Sequence, residues 1–349
     1  MNYNLSELTS NTPIVVMLGM CKNAGKTTAL NRLIYEYKNV GRQIAVTSIG
    51  RDGEVVDVVT GTSKPLIYIY EGMLAATASG LLQLSDVSRE ILDVTSTATP
   101  LGMVVVFRAR GGGYTQLAGP STLEDMSRLL ELLHSLGAET VLIDGALNRR
   151  SPAALSQGGV CILSTGASLS PDMDAVVDET EFACRVLTLP EIRDQGSGDR
   201  GQGAGSREQS QLGMQNAELR MQNFEGPEGS EQSSGVGGQG IDISRKIVFS
   251  GALTDSEALK ILKSSAKLEG LQLIVEDSSK ILIKRETFER LLANGACFMV
   301  KRATKLAAVT VNPISSGGWQ FDADRFLTKM QQAVSVPVVD VGGAITAEG

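Results

Sequence analysis

The sequence holds one histidine, one tryptophan and four cysteines, and its 32 lysines and arginines form no block. Each shortage closes a class of function. With His134 alone there is no multi-histidine metal site, and a histidine-based triad has one candidate, placed at the end of a leucine-rich helical run. Cys21, Cys161, Cys184 and Cys297 show no C-x-x-C spacing, which argues against both a zinc knuckle and a disulfide framework. A net charge of −7 without a clustered basic face makes nucleic acid a poor partner. No apolar run reaches the roughly 18 residues of a membrane span and no basic-then-apolar leader is present, so the expectation is a cytoplasmic protein without a membrane segment.

What is present is ordinary for a globular chain: 42% hydrophobic and 20% charged residues over 349 positions, enough for two domains. The clearest boundary starts near Glu191. From there to about Gly240 the chain is crowded with Gly, Gln, Ser and Glu, and lacks the large apolar residues needed to offset chain entropy. The expected organisation is a first domain over 1–190, a disordered linker over 191–244 and a second, smaller α/β domain over 245–349.

The most informative stretch lies near the start. Ile14 to Leu18 reads as a buried strand, and Leu30, Leu33, Ile34 and Tyr37 recur at helical spacing. Between them runs Gly19-Met-Cys-Lys-Asn23-Ala24-Gly25-Lys26-Thr27-Thr28. Strand, glycine-bearing turn and helix in this order make a phosphate-binding loop. The glycines let backbone N–H groups converge, the helix directs its positive end at the phosphates, Lys26 adds a mobile charge and Thr27 offers a hydroxyl to Mg²⁺. Five residues separate Gly19 from Gly25, one more than in G-x-x-x-x-G-K-[ST]. Cys21 lies inside this turn and reads first as loop filler, the alternative being a thiol whose pKa is lowered by nearby N–H dipoles and lysines. Cys161 and Cys297 fall in apolar runs as small core residues.

Two acids stand where a nucleotide site needs them. Gln43 to Ile49 reads as a strand leading to Asp52, and Thr140 to Ile143 as a strand ending in Asp144. In open α/β sheets ligands collect at the carboxyl ends of strands, so both acids are candidates to hold Mg²⁺ or to orient a nucleophile. Asp52 also suits a glycine-rich bend. Arg108-Ala-Arg110 followed by three glycines reads either as an anion contact or as a flexible turn. Asn312-Pro-Ile-Ser-Ser-Gly-Gly-Trp319 reads either as a ligand or partner contact or as a turn with an aromatic anchor.

The remaining pattern alternates. Helical stretches are expected around 73–84 and 86–93, and strands at 66–70, 103–107, 160–163 and 185–189. Ser121 and Glu124 form a capping box before a leucine-rich helix, and a further helix starts at Asp172. Past the linker, strands are expected at 247–249, 271–275, 297–300, 306–311 and 337–341, with helices from Thr254, near Phe288 and near Ala323. The fold class is α/β: a P-loop NTPase parallel sheet with helices on both faces, plus a second α/β unit.

The loop with five intervening residues resembles that of dethiobiotin synthetase and the cobyrinic acid amidoligases, and the hydrophobic-acid-Gly-Ala run at 141–146 resembles the acidic strand end of dethiobiotin synthetase, which has Glu in place of Asp144. The ParA/MinD group is not matched, because its signature lysine falls on Cys21. Residues 19–28, 47–54, 143–149, 165–167 and 311–322 together resemble the ATPase-like subunit of the reactivase that serves adenosylcobalamin-dependent lysine 5,6-aminomutase and its ornithine relative. That resemblance implies ATP and Mg²⁺ as cofactors, Lys26, Asp52 and Asp144 as catalytic residues, and Gly19, Asn23, Ala24, Gly25, Lys26, Thr27 and Thr28 as the nucleotide-binding set. It further implies Thr27, Asp52 and Asp144 at the metal, and as partners a second reactivase subunit and a cobalamin-dependent aminomutase. A carboxylate-activating synthetase and a nucleotide-dependent scaffold are the alternatives.

Overall fold

The computed structural model describes residues 3–50, 66–145, 158–192, 246–264 and 268–342. The chain forms two units. The first takes Met1–Leu189, Asp277–Ile281 and Arg302–Gly349, and the second Pro190–Glu276 and Leu282–Lys301.

The first unit is built on a nine-stranded sheet. Its strands in chain order are β1 (Ile14–Gly19), β2 (Ile44–Ser48), β3 (Leu74–Ala78), β4 (Arg89–Thr99), β5 (Gly102–Ala109), β6 (Thr140–Asp144), β7 (Val160–Gly166), β8 (Leu306–Asn312) and β9 (Val338–Asp340). Across the sheet the order is β9-β8-β7-β1-β6-β2-β3-β5-β4. The seven strands from β9 to β3 are parallel, while β5 runs antiparallel to both β3 and β4. β1 is buried from Ile14 to Leu18, the near-continuous apolar run expected of a strand covered on both faces.

The covers are helices. Ile14, Val16 and Leu18 pack on the side that holds α3 (Leu123–Ser135), α4 (Met173–Leu187) and α5 (Ala323–Ala333), represented by Leu129, Leu130, Leu133, Val176, Phe326 and Met330. Val15 and Met17 face α1 (Leu5–Leu8) and α2 (Lys26–Asn39), which contribute Leu5, Ala29, Leu30, Leu33, Ile34 and Tyr37. Each fully buried aliphatic side chain contributes about 1.5–3 kcal/mol, so the alternation along β1 ties one strand to both layers.

Several expectations change. Residues 74–78 and 89–99 are strands and Ser79–Leu84 a short 3₁₀ turn, where helices were expected over 73–93. The alanines of Leu74-Ala-Ala-Thr-Ala favour helix locally, but a free sheet edge at β2 supplies a ladder and buries all five residues, and tertiary pairing overrides propensity. Arg185 to Leu187 form the last turn of α4 rather than part of a strand, because the buried row Val176, Thr180, Cys184, Leu187 keeps helical period. The cap of α3 is Thr122, which accepts a hydrogen bond from the Asp125 amide at 3.1 Å, one residue later than the expected box.

The largest correction concerns the second domain. Leu306–Asn312 and Val338–Asp340 belong to the central sheet, β8 pairing with β7 from Leu306↔Cys161 to Asn312↔Gly166. Ala308, Val309 and Val311 are buried, and strands apolar on both sides require a covered sheet. The second unit is therefore smaller than 245–349. Its parallel sheet joins Lys246–Val248, Gln272–Val275 and Cys297–Val300, with helices Asp255–Ser264 and Arg285–Ala293. The Thr254–Glu257 box forms as expected, the Thr254 amide donating to the Glu257 carboxylate at 2.9 Å, and Phe288 stacks on Phe298 at 4.3 Å. Glu191 bridges to Val300 in this unit; residues 193–245, most of the expected linker, lie outside the described residues.

Candidate functional site at the end of β1

The registers bring five strand ends into one row. Ser48 of β2 lies beside Asp144 of β6, Asp144 beside Met17 of β1, Gly19 beside Ser164 of β7, and Gly166 beside Asn312 of β8. The row is a consequence of parallel pairing, which puts the carboxyl ends on one side of the sheet.

From Gly19 the chain turns into α2. Asn23 (φ 61°) is the one non-glycine with left-handed backbone among the described residues, and Gly25 (φ 89°) is the N-cap. A β-carbon on Gly25 would come within 2.9 Å of Asn312 Cβ, so glycine is required there by conformation and by space. Gly19 is different: its added β-carbon would meet the Lys26 stem at 3.6 Å, ordinary contact. Ala24 is buried, Thr27 half-buried and Thr28 exposed. No side chain caps α2 and no acid stands in its first turn. The amides that open the helix thus keep their affinity for an anion.

Lys26 reaches across to β6. Its ammonium donates to the Asp144 carboxylate and to the Gly145 carbonyl, the latter at 2.6 Å. The two side chains are 25% and 23% exposed, so the pair is partly buried and still reached by solvent. Asp144 is fixed by its backbone, whose carbonyl accepts from the Ile49 amide at 3.0 Å and from the Ser48 hydroxyl at 3.1 Å. Lys26 of the first turn of α2 is thus joined to Asp144 at the end of β6, with Thr27 next to Lys26 in the same turn; Asp52 lies outside the described residues. Among the described residues no three His, Cys, Asp or Glu side chains gather as a metal cage. A Mg²⁺ ion here would depend on Thr27, Asp144 and oxygens from its own ligand, which suits an ion that retains water and phosphate ligands.

Burial raises the thiol pKa of Cys21, the reverse of the shift expected in a dipole-rich turn, because desolvation disfavours the thiolate. The arginines before the triple glycine are engaged elsewhere. Arg108 donates to the Leu136 carbonyl at 3.2 Å and Arg110 pairs with Glu90. His134 contacts the Ala138 carbonyl at 2.7 Å at the end of α3, a local helix-end role.

The turn after β8 belongs beside this site. The Asn23 side-chain amide donates to the Ser316 hydroxyl at 3.0 Å, the Ser316 amide to the Ser168 hydroxyl at 3.4 Å, and the Trp319 indole to the Ala167 carbonyl at 2.9 Å. The sequence marks Asn312–Trp319 as unusual through Asn-Pro and Gly-Gly, but a contact spanning 293 positions has no local signature. No helix among the described residues is long and apolar enough to cross a membrane. No protein-family model matches the chain, and neither the curated proteins nor the solved structures yield a match.

Proposed function

We propose that the chain is a P-loop NTPase that binds and hydrolyses ATP with Mg²⁺, and that it serves as the ATPase-like subunit of a reactivase restoring a cobalamin-dependent lysine or ornithine aminomutase. The observation that carries the nucleotide reading is the Lys26 ammonium at the mouth of an uncapped helix, held by Asp144 and the Gly145 carbonyl from the neighbouring strand. An incoming phosphate offers that ammonium a stronger partner and meets the free amides of α2 at the same time. Thr27 and Asp144 would hold Mg²⁺, which would neutralise phosphate charge. Asp144, released by Lys26, is then available to orient water.

The partner reading is supported by placement. The described parts of the five strings that resemble the reactivase subunit, residues 19–28, 47–50, 143–145, 165–167 and 311–322, all lie at the carboxyl ends of β1, β2, β6, β7 and β8. A nucleotide there touches the segments that distinguish the family, and its differential contact with two loop arrangements is what shifts a partner's conformation. The test is ATP turnover by the full chain alone, with the second subunit and aminomutase, and with a panel of small carboxylic acids. Stimulation by the protein partners is the expected result. Stimulation by one acid, with a phosphorylated product, would identify a synthetase of the dethiobiotin synthetase class. Nucleotide binding without turnover in every arm would identify a scaffold.

A further inference from the structure

We propose that the Asn23–Ser316 hydrogen bond makes the Asn312–Trp319 turn a sensor of what the loop at 19–28 holds; the inference rests on the nucleotide reading above and adds a moving part to it. Asn23 projects its amide from left-handed backbone, a conformation that asparagine tolerates better than most residues. The amide crosses to Ser316 at 3.0 Å, and Ser316 is joined to Ser168 through its own amide at 3.4 Å. The turn is stapled internally. The Ile314 amide donates to the Asn312 side chain at 3.1 Å, the Ser315 amide to the Trp319 carbonyl at 3.0 Å and the Gly317 amide to the Ser315 hydroxyl at 3.0 Å. The Trp319 ring lies against Gly317, where an added β-carbon would fall 2.0 Å from it.

These bonds tie the residues of the turn to one another, so that a pull on Ser316 is shared by the whole turn. Its hinges are β8, beside the loop through Asn312 and Gly25, and the Trp319 indole on the Ala167 carbonyl. Its outer side carries Ile314 and Trp319, 52% and 38% exposed. When a phosphate draws the amides of residues 23–27 inward, the Asn23 side chain is carried with its backbone, and the bond to Ser316 either stretches or pulls the turn along. Where the turn follows the bond, or is released by its loss, loop occupancy is transmitted to an exposed apolar surface. Asn23 and Ser316 are positioning residues in this scheme, acting through the turn and not on the reacting atoms.

Trp319 is the only tryptophan in the chain, so its emission reports the turn without a label. The experiment titrates a non-hydrolysable ATP analogue with Mg²⁺ into the full chain while recording calorimetric heat and tryptophan emission. It is repeated on Ser316→Ala, Ser316→Thr and Asn23→Gly, the last measured at saturating analogue so that weaker affinity does not enter. Asn23→Gly permits the left-handed backbone and removes the side chain with its amide. The expected result is an emission shift in the wild type that is lost in Ser316→Ala and Asn23→Gly and retained in Ser316→Thr, with the heat of Ser316→Ala unchanged. Heat without an emission shift in the wild type, or a shift that Ser316→Ala and Asn23→Gly both keep, overturns the inference and leaves nucleotide binding intact. Absence of heat in the wild type removes the nucleotide reading, and this inference with it.

Discussion

At the scale of single residues, Lys26 is held by Asp144 at the end of β6 and by the Gly145 carbonyl just beyond it. Asp144 competes with any phosphate for the Lys26 ammonium, so its removal has effects of opposite sign on binding and turnover. Asp144→Asn is expected to tighten binding of Mg²⁺-free nucleotide severalfold while lowering Mg²⁺-dependent hydrolysis at least about tenfold, the cost of a lost charge-assisted contact. Equilibrium binding in chelator beside steady-state turnover across a Mg²⁺ titration measures both. Wild-type hydrolysis in the variant would return Asp144 to a purely structural role. That Lys26 opens a helix beyond one strand and that Asp144 ends another was legible, because a Gly-Lys-Thr between an apolar run and a helical period, and an acid closing an apolar run, are local patterns. Ser316, Ser168 and the Asn312 packing were not, since proximity across the sheet depends on strand order, which no local pattern encodes.

At the scale of elements, β7 and α4 bury two thiols that give the fold a pH dependence. Burial pushes the Cys184 thiol from 9.0 up to about 12, and raises Cys161 in the same direction and further. A raised folded-state pKa means that stability is fully present below the unfolded value and is lost as pH rises towards the folded one. From pH 9.0 to 10.0 each of these two thiols should lower stability by at most about 1.4 kcal/mol per unit, while the raised thiols of Cys21 and Cys297 and, towards the upper end, the raised phenols of Tyr37 and Tyr70 add to the fall in the same direction. Urea midpoints on either side of that window should show a shallower decline in Cys184→Ala. The turn into α2 supplies a second case. Gly25→Ala places a β-carbon against Asn312 at φ 89° and should destabilise the first unit by more than about 1 kcal/mol, read as a lower urea midpoint. Elements with long periodic patterns, such as α2, α3 and α5, were readable from sequence. Leu74–Ala78 was not, because an alanine-rich run becomes a strand only where a sheet edge awaits it.

At the scale of the whole molecule the chain leaves the central sheet after β7 and returns to it as β8 and β9, so that composition and fold disagree about where the first unit ends. The Gly- and Ser-rich stretch suggested a division by sequence order, whereas the core divides by pairing. A fragment of residues 1–190 lacks β8, β9 and α5 and leaves Leu163, Val176 and Val177 without Val309, Phe326 and Met330. It is expected to show no cooperative urea transition; a cooperative transition matching the full chain would contradict the topology. The central claim, that the loop from Gly19 to Thr28 receives the phosphates of a nucleotide, is tested most directly by calorimetry of a non-hydrolysable ATP analogue with Mg²⁺ on the full chain and on Lys26→Ala. One charged hydrogen bond is worth about 1.5–3 kcal/mol, so the account predicts saturable binding by the wild type and a loss of roughly 10- to 150-fold in affinity in a variant that keeps its unfolding midpoint. Equal affinity in a folded Lys26→Ala, or no binding by the wild type, would contradict it.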